Sequence, residues 1–174
     1  MAELKLNLGC GEKIYKDFLN IDKLKLPGVD LVLNLEKTPL PFKTNSVSEI
    51  VCEHSLEHVR ELLPLMEELW GICKNHAILK ISAPYYRYEG AYRDITHARF
   101  FTEHSFDYFQ DGLAYSYYSK ARFNLKKLEL RNKFFSGINT LHKRIINCIP
   151  FKKLLNLFFW NIYSEIYYEL EAVK

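Results

Sequence analysis

The feature that most constrains the fold is the stretch 6–11, which reads Leu-Asn-Leu-Gly-Cys-Gly. Residues 3–6 alternate between polar and apolar side chains, which is the period of a β-strand, so a strand runs directly into Gly9 and Gly11. Because glycine has no Cβ, the backbone can turn tightly there and a ligand can lie against it. In α/β sheets, small molecules bind beyond the carboxyl ends of strands. The stretch therefore predicts either a ligand-binding loop or an ordinary tight turn.

An acidic residue follows the second predicted strand. Residues 18–21 read Phe-Leu-Asn-Ile, and Asp22 closes them. A carboxylate at the tip of that strand is suited to accept hydrogen bonds from ribose hydroxyls. A nucleoside-like ligand is therefore the first hypothesis for the glycine loop.

Length and composition predict one soluble domain covering residues 1–174. The chain has 174 residues, of which 48% are hydrophobic and 26% are charged. Its four cysteines form no CxxC pair, which disfavours a disulfide framework or a zinc ribbon and indicates a reduced, cytoplasmic protein. The sequence shows no basic and apolar leader and no apolar run of membrane-spanning length, so we expect neither export nor a transmembrane helix.

The charge of the chain is unevenly distributed. The net charge is only +3, but residues 120–153 contain ten basic residues and a single acid, Glu129. Such a segment attracts anions such as phosphates, acidic lipid head groups or nucleic acid, or it forms a solvated face that keeps the protein soluble.

The order of predicted elements indicates a mostly parallel α/β sheet whose final strand pair is antiparallel. Strands are predicted at 3–8, 18–22, 29–34, 48–53, 77–83, 122–135 and 165–173, with a helix around 64–73 that Asn75 and His76 end. The connections 12–17 and 23–28 are too short for the usual crossover helices. We therefore expect the helices after strands 1 and 2 to be shortened or absent.

Together, the glycine loop, Asp22, the Pro-Leu-Pro-Phe segment 39–42, a strand ending at Glu53 and the Leu-Glu-His sequence 56–58 resemble the class I S-adenosylmethionine-dependent methyltransferases. The resemblance implies a Rossmann-like, mostly parallel seven-stranded sheet with an antiparallel final strand, and S-adenosyl-L-methionine as cofactor. It implies the following cofactor contacts: Gly9, Cys10 and Gly11 with the methionine part, Asp22 with the ribose, Asn34 and Leu35 with the adenine, and Glu53 and His54 with the amino-acid end. Asn7 is a further expected cofactor contact, at the position where the family usually carries an acid, and the third glycine of the family is missing.

The segment 94–101, Asp-Ile-Thr-His-Ala-Arg-Phe-Phe, also resembles one found in small-molecule methyltransferases after the fifth strand. O-methylation needs a proton removed from a hydroxyl, and His97 oriented by Asp94 could accept it near neutral pH. The alternative is that the histidine only anchors the loop by hydrogen bonds. The candidate acceptor-binding residues in and around this loop are Tyr85, Tyr86, Arg93 and Arg99.

One rival motif is the pattern HxxEH at residues 54–58, which is typical of inverted zinc peptidases. Zinc would need His54 and His58 on one face of a helix. Because a strand is predicted to end at Glu53, His54 is expected in the turn, and no metal site is expected.

The predicted function is methyl transfer from S-adenosylmethionine to an O or N nucleophile of a small-molecule or lipid-linked acceptor. The alternative is a non-catalytic Rossmann-like interaction module that binds anionic partners through its basic, aromatic C-terminal part. Nucleic acid is not the expected partner.

Residues 139–160 are predicted to form a basic, apolar helical insertion before the last strand. Since crossover helices are missing, we expect one face of the sheet to expose apolar side chains, and this insertion to cover it within one chain or across a homodimer. The competing hypothesis is an amphipathic anchor that makes peripheral contact with a membrane beside a lipid-linked acceptor.

Overall fold

The computed structural model describes residues 3–132 and 151–174, without the side chains of residues 152 and 153. It contains a seven-stranded sheet of order β3-β2-β1-β4-β5-β7-β6. The strands are β1 (Leu4–Leu8), β2 (Leu19–Asp22), β3 (Leu31–Val32), β4 (Val47–Glu53), β5 (Cys73–Pro84), β6 (Arg122–Arg131) and β7 (Glu165–Val173). The α-helices in these ranges are α1 (Leu62–Ile72), α2 (Gly90–Arg93) and α3 (Lys152–Phe158).

The strand directions confirm the predicted fold class. The strands β1 to β5 pair in parallel, whereas β7 is antiparallel to both β5 and β6. The strand β7 buries Ile166, Tyr168 and Leu170 at alternate positions, as its sequence period predicts.

No helix lies between β1 and β2 or between β2 and β3, as the short connections predict. The first of these loops is held by buried amides instead. Asn7 Nδ2 donates hydrogen bonds to the carbonyl oxygen of Lys13 at 2.7 Å and to Asn20 Oδ1 at 2.9 Å. Asn20 Nδ2 donates in turn to the carbonyl oxygen of Tyr15 at 3.1 Å. Since both amide side chains are buried, these bonds satisfy them and fix the loop against the sheet.

The apolar core lies on one face of the sheet. Alternate residues of the central strands, such as Leu6, Ile50 and Leu79, are fully buried together with Met66 and Leu69 of α1. Burial of each such side chain contributes about 1.5 to 3 kcal/mol. The position of α1 is therefore set by the apolar stripe that predicted it.

The opposite face of the sheet carries charge, so the prediction that it exposes apolar side chains is wrong. Lys5 Nζ lies 3.0 Å from Glu49 Oε2, and Lys80 Nζ lies 2.6 Å from Glu49 Oε1. These residues alternate along the strands with the core positions. A charged face can remain in contact with water, and it removes the reason for requiring residues 139–160 as a cover.

Two predicted strand boundaries are also wrong. The strand β3 has only two residues, because its pairing with β2 is limited to Leu31 and Val32. The strand β5 begins at Cys73, directly after α1, and continues through Asn75 and His76. It accommodates a positive φ of 66° at His76, so the polar pair bends the strand without ending it.

Ten of the 22 residues of the predicted insertion 139–160 can be described, namely 151–160. Residues 139–150 lie outside the described residues, and α3 lies inside the remainder. Asn156 Nδ2 donates a hydrogen bond to Tyr85 Oη at 3.0 Å, and the Arg87 guanidinium donates to the carbonyl oxygen of Asn156. The helix thus lies against the segment that follows β5. Among the helices described here, none combines the length and apolarity needed to cross a bilayer.

Candidate functional site

Two neighbouring pockets open near the carboxyl ends of the parallel strands. The first, the glycine-loop pocket, has a volume of about 420 Å³. It is lined by Gly9, Gly11, Asp22, Lys23, Leu24, Leu26, Leu33, Asn34, Leu35, Glu36, His54, Ser55, His58, Val59 and Thr96. The second, the histidine pocket, has a volume of about 410 Å³. It is lined by His54, Glu57, His58, Pro84, Tyr88, Gly90, Arg93, Asp94 and His97.

Gly9 is required by the shape of the glycine-loop pocket. Its φ is +64°, in the left-handed region, and a Cβ at this position would lie 2.3 Å from Ser55 Cβ. Real side chains cannot approach so closely, so any other residue forces the loop or the segment after β4 to move. The glycine keeps the loop close to Ser55 and leaves backbone exposed to a ligand.

Asp22 is positioned by backbone hydrogen bonds. Its Oδ2 accepts from the Gly11 N–H at 2.9 Å, and its Oδ1 accepts from the Leu24 N–H at 2.9 Å. A carboxylate offers about four acceptor positions, so each oxygen retains an unused one, and Asp22 lines the pocket. Asp22 can therefore hold the loop and still accept hydrogen bonds from a pair of hydroxyls.

The residues after β3 form an apolar wall with a polar turn. Leu33 and Leu35 line the pocket, and Asn34 Oδ1 accepts a hydrogen bond from the Glu36 N–H at 3.0 Å. This Asx turn fixes the chain direction beside the pocket. A flat aromatic base would be accommodated against these leucines.

Three predicted cofactor residues do not line the glycine-loop pocket. Asn7 is buried in the amide network beneath the loop, and Cys10 is buried beside it. Burial, with the nearby Asp22 charge, raises the pKa of the Cys10 thiol, which keeps it neutral. Glu53 Oε2 lies 3.1 Å from Lys13 Nζ, and Glu53 lines a cavity on the charged face.

His97 projects into the histidine pocket with one nitrogen already occupied. Its Nδ1 lies 2.8 Å from the carbonyl oxygen of Ala91. A carbonyl only accepts, so Nδ1 carries the proton and a neutral ring keeps the lone pair at Nε2. Asp94 Oδ2 is 3.9 Å from Nε2, beyond hydrogen-bond distance. The ring is therefore oriented by the Ala91 carbonyl rather than by Asp94.

Asp94 instead orients His58 through Thr96. The Thr96 hydroxyl lies 2.7 Å from Asp94 Oδ1, to which it donates, and 2.8 Å from His58 Nδ1. Since the hydroxyl proton points to the carboxylate, its oxygen accepts from His58 Nδ1–H. His58 thus also keeps its lone pair at Nε2.

His54 is held between two buried carboxylates at the boundary of both pockets. Its Nε2 lies 2.8 Å from Glu165 Oε2, and its Nδ1 lies 3.4 Å from Glu57 Oε1. Burial alone would lower the pKa of His54, but the two carboxylates outweigh it and raise the pKa to about 9. The charged ring links the turn after β4 to the first residue of β7.

Of the four residues predicted to bind the acceptor, one lines the histidine pocket and three do not. Arg93 lines the histidine pocket. Tyr85 is buried and its hydroxyl donates to Glu103 Oε1 at 2.9 Å, while the Tyr86 hydroxyl accepts from Arg87 Nε at 2.9 Å. The Arg99 guanidinium donates to the carbonyl oxygen of Arg60. These three residues support the loop around the pocket without lining it.

The structure also brings together three possible metal ligands that the sequence did not predict to lie side by side. Glu57, His58 and His97 each place one potential metal-ligand atom within 4.8 Å of the others. The HxxEH pattern drew attention to this segment but paired His58 with His54, whose φ of 52° places it in the turn after β4. The partner of His58 is His97, a distant residue that no local motif identifies.

Comparison with known proteins identifies the fold. No family model and no curated protein matches this chain. A SAM-dependent methyltransferase from Archaeoglobus fulgidus has a similar structure, with a TM-score of 0.63 and 14% identity over 98% of this chain and 86% of its own.

A putative methyltransferase from Bacillus halodurans has a TM-score of 0.61 and 13% identity, covering 100% of this chain and 94% of its own. A putative methyltransferase from Haloferax volcanii, in complex with the Trm112 methyltransferase activator, has a TM-score of 0.62 and 11% identity, covering 99% and 84%. The chain therefore has the class I methyltransferase fold, which the sequence resemblance predicted.

Proposed function

We propose that this protein transfers a methyl group from S-adenosylmethionine to an oxygen or nitrogen nucleophile. The observation that carries the proposal is the glycine-loop pocket, where Gly9 leaves space for a ligand and Asp22 presents unused acceptor positions beside it. The fold similarity supports the same cofactor. Nothing in the comparisons favours the alternative of a non-catalytic interaction module.

The two pockets supply the arrangement that methyl transfer requires. S-adenosylmethionine supplies the methyl group and would occupy the glycine-loop pocket. The acceptor would occupy the histidine pocket, and His54 and His58 line both. Because the transfer is an in-line displacement, holding the acceptor lone pair behind the methyl group supplies much of the acceleration. An acceptor hydroxyl must also lose a proton, and Nε2 of His97 has the lone pair to receive it.

Exposed apolar side chains beside the histidine pocket favour a lipid-linked acceptor. We call Phe151, Leu154, Leu157, Phe158, Phe159 and Trp160 the apolar ridge, and all six are exposed. The Trp160 ring lies 5.8 Å from Tyr92 of α2, whose neighbour Arg93 lines the pocket. Insertion of this ridge into a membrane surface would bring the acceptor group of a lipid to the pocket.

A thermal-shift titration tests the proposal. S-adenosylmethionine and its demethylated product, each added to the full chain, should raise Tm progressively as their concentrations exceed Kd, because they bind only the folded state. NAD⁺ at the same concentrations serves as the control and should leave Tm unchanged. If neither adenosyl compound changes Tm or binds by equilibrium dialysis, the proposed function is wrong.

A further inference from the structure

The cluster of Glu57, His58 and His97 has the composition of a metal-binding site. Its three ligand atoms lie within 4.8 Å of one another at the wall of the histidine pocket. Two imidazoles and one carboxylate are a common ligand set for divalent transition metals in sites that keep positions open for water or substrate.

Glu57 provides an independent indication of a cation-binding site. Its side chain is only 1% exposed, and its Oε2 has no hydrogen-bond partner among the described residues. Its Oε1 lies 3.4 Å from His54 Nδ1. A buried carboxylate oxygen without a partner is unfavourable, and a cation bound beside Oε2 would compensate it.

The histidines are held in the tautomers that metal binding needs. His97 Nδ1–H donates to the carbonyl oxygen of Ala91, and His58 Nδ1–H donates to Thr96, whose hydroxyl donates to Asp94. Both rings therefore direct a lone pair from Nε2. Hydrogen bonds of this kind, from the second ring nitrogen to a carbonyl or toward a carboxylate, are typical of metal-ligating histidines.

We propose that Glu57, His58 and His97 bind one divalent transition metal ion, of which Zn²⁺ is a representative. Asp94, Thr96 and the Ala91 carbonyl act as positioning groups. A hydrogen bond of 2.7 Å from the Ala98 N–H to the Glu57 carbonyl oxygen sets the distance between the ligands.

An open position of the ion would bind the acceptor oxygen, and this role rests on the proposed function. A bound hydroxyl has a lowered pKa and loses its proton to solvent. The oxygen then bonds to the methyl carbon, the carbon–sulfur bond breaks, and its electron pair neutralises the sulfonium. A nitrogen that coordinates metal cannot also take this proton, so the ion replaces His97 in activating the hydroxyl.

Metal titration of the chelator-treated full chain tests the site. Zn²⁺, measured by competition with a coloured chelator, should bind at one ion per chain, and Co²⁺ should give visible d–d absorption without a sulfur charge-transfer band. The absence of that band distinguishes this site from binding at the cysteines. Glu57→Gln, His58→Gln and His97→Gln should each weaken binding by about tenfold or more.

His104→Gln is the matched control. His104 Nδ1 lies 3.0 Å from Asp107 Oδ2, so its ring is held by a hydrogen bond as the cluster histidines are, but its side chain is exposed and it is not part of the cluster. This variant should bind Zn²⁺ as the parent does. Folding of each variant is checked by circular dichroism, and three substitutions allow for one that fails to fold.

The inference is overturned if the folded parent takes up no stoichiometric Zn²⁺ or Co²⁺, or if folded His58→Gln and His97→Gln chains bind them like the parent. Cofactor binding measured on the same samples separates this result from the proposed function. Metal binding without S-adenosylmethionine binding contradicts the function alone, and the converse contradicts the metal site alone.

Discussion

The backbone N–H of Ala98 donates a hydrogen bond of 2.7 Å to the carbonyl oxygen of Glu57. The Arg99 N–H donates to the same oxygen at 3.1 Å. These two bonds attach the loop after β5 to the 3₁₀ helix Leu56–His58, which follows β4. The wall of the histidine pocket therefore depends on one carbonyl group that joins two separate segments and places the His97 ring beside the His58 ring.

Replacing Gly9 should destabilise the fold through a steric clash. In Gly9→Ala, the new Cβ would lie 2.3 Å from Ser55 Cβ at a φ of +64°, so we expect a loss of about 1 to 3 kcal/mol in the free energy of unfolding. Gly11→Ala is the control, because Gly11 also has a positive φ of +51° but no atom within 4 Å of its Cβ position.

Urea unfolding measures both variants, and Gly11→Ala should lose only about 1 kcal/mol. The double variant Gly9→Ala with Ser55→Gly removes the clashing Cβ and should recover part of the stability. Equal stability of the two single alanine variants would show that the contact with Ser55 does not constrain the loop.

Replacing His97 should slow methyl transfer without weakening cofactor binding. His97→Ala removes the Nε2 lone pair, which would accept the hydroxyl proton or, with the proposed ion bound, coordinate the metal, and in either case we expect a loss of about a hundredfold or more in kcat. Asp94→Asn should lower kcat less, because Asp94 reaches the pocket through Thr96 and His58. Transfer is measured with a labelled methyl group once an acceptor has been identified. Unchanged turnover in both variants would show that His97 does not take part in activating the acceptor.

The ion pairs on the charged face should make stability depend on pH. Burial alone would raise the pKa of Glu49, but hydrogen bonds from Lys80 and Lys5 outweigh it and lower the pKa below 4.5. The folded pKa is thus below the unfolded one, so this stabilisation is complete above pH 4.5 and is lost as the pH falls through the folded pKa. Glu49→Gln should lower the free energy of unfolding at pH 7 by about 1 kcal/mol. It should also make this free energy fall less steeply as the pH is lowered.

Glu129 provides the control for this measurement. Its pKa is also lowered, by hydrogen bonds from Lys127 and Arg131, but the group is exposed to solvent. Glu129→Gln should therefore leave the free energy of unfolding unchanged within error, because solvent screens exposed pairs. An acid-unfolding curve of Glu49→Gln that coincides with the parent curve at every pH would contradict the role given to Glu49.

The apolar ridge should mediate membrane binding. In a flotation assay with liposomes containing anionic lipid, Leu157→Ser with Phe158→Ser should lower the bound fraction severalfold, because each removes apolar area that would enter the interface. Tyr117→Ser is the control, since Tyr117 is exposed to the same degree as Phe158 but lies outside the ridge. Equal flotation of all three proteins would exclude the ridge as the contact surface.

The sequence predicted which segments form strands because each strand's period and turns are local properties, whereas the direction and arrangement of the strands in the sheet followed from the resemblance to the methyltransferase family. It also predicted the position of Asp22, because this residue is the last one of β2. The sequence prediction failed where pairing with a distant segment determines the length of a strand, as in the two-residue strand β3. The cluster of Glu57, His58 and His97 could not be predicted, because the Ala98 bond to Glu57 joins residues far apart in sequence.

The charged face was mispredicted for a different physical reason. Parallel strands are usually buried on both faces, so apolar side chains were expected on both. In β4 and β5, however, Glu49 and Lys80 alternate with the core residues Ile50 and Leu79. That alternation is visible in the sequence and indicates one solvated face.

We propose that Asp22 holds the ribose of S-adenosylmethionine in the glycine-loop pocket. Calorimetric titration of the parent, Asp22→Ala and Asp22→Asn with this cofactor measures the contribution of the carboxylate, with Asp17→Ala as control because Asp17 is an exposed acid outside the pocket. Loss of the carboxylate acceptor should weaken binding by about 1.5 to 3 kcal/mol, or roughly tenfold to a hundredfold in Kd, while Asp17→Ala binds like the parent. Undiminished affinity in folded Asp22→Ala and Asp22→Asn would show that Asp22 does not bind the cofactor.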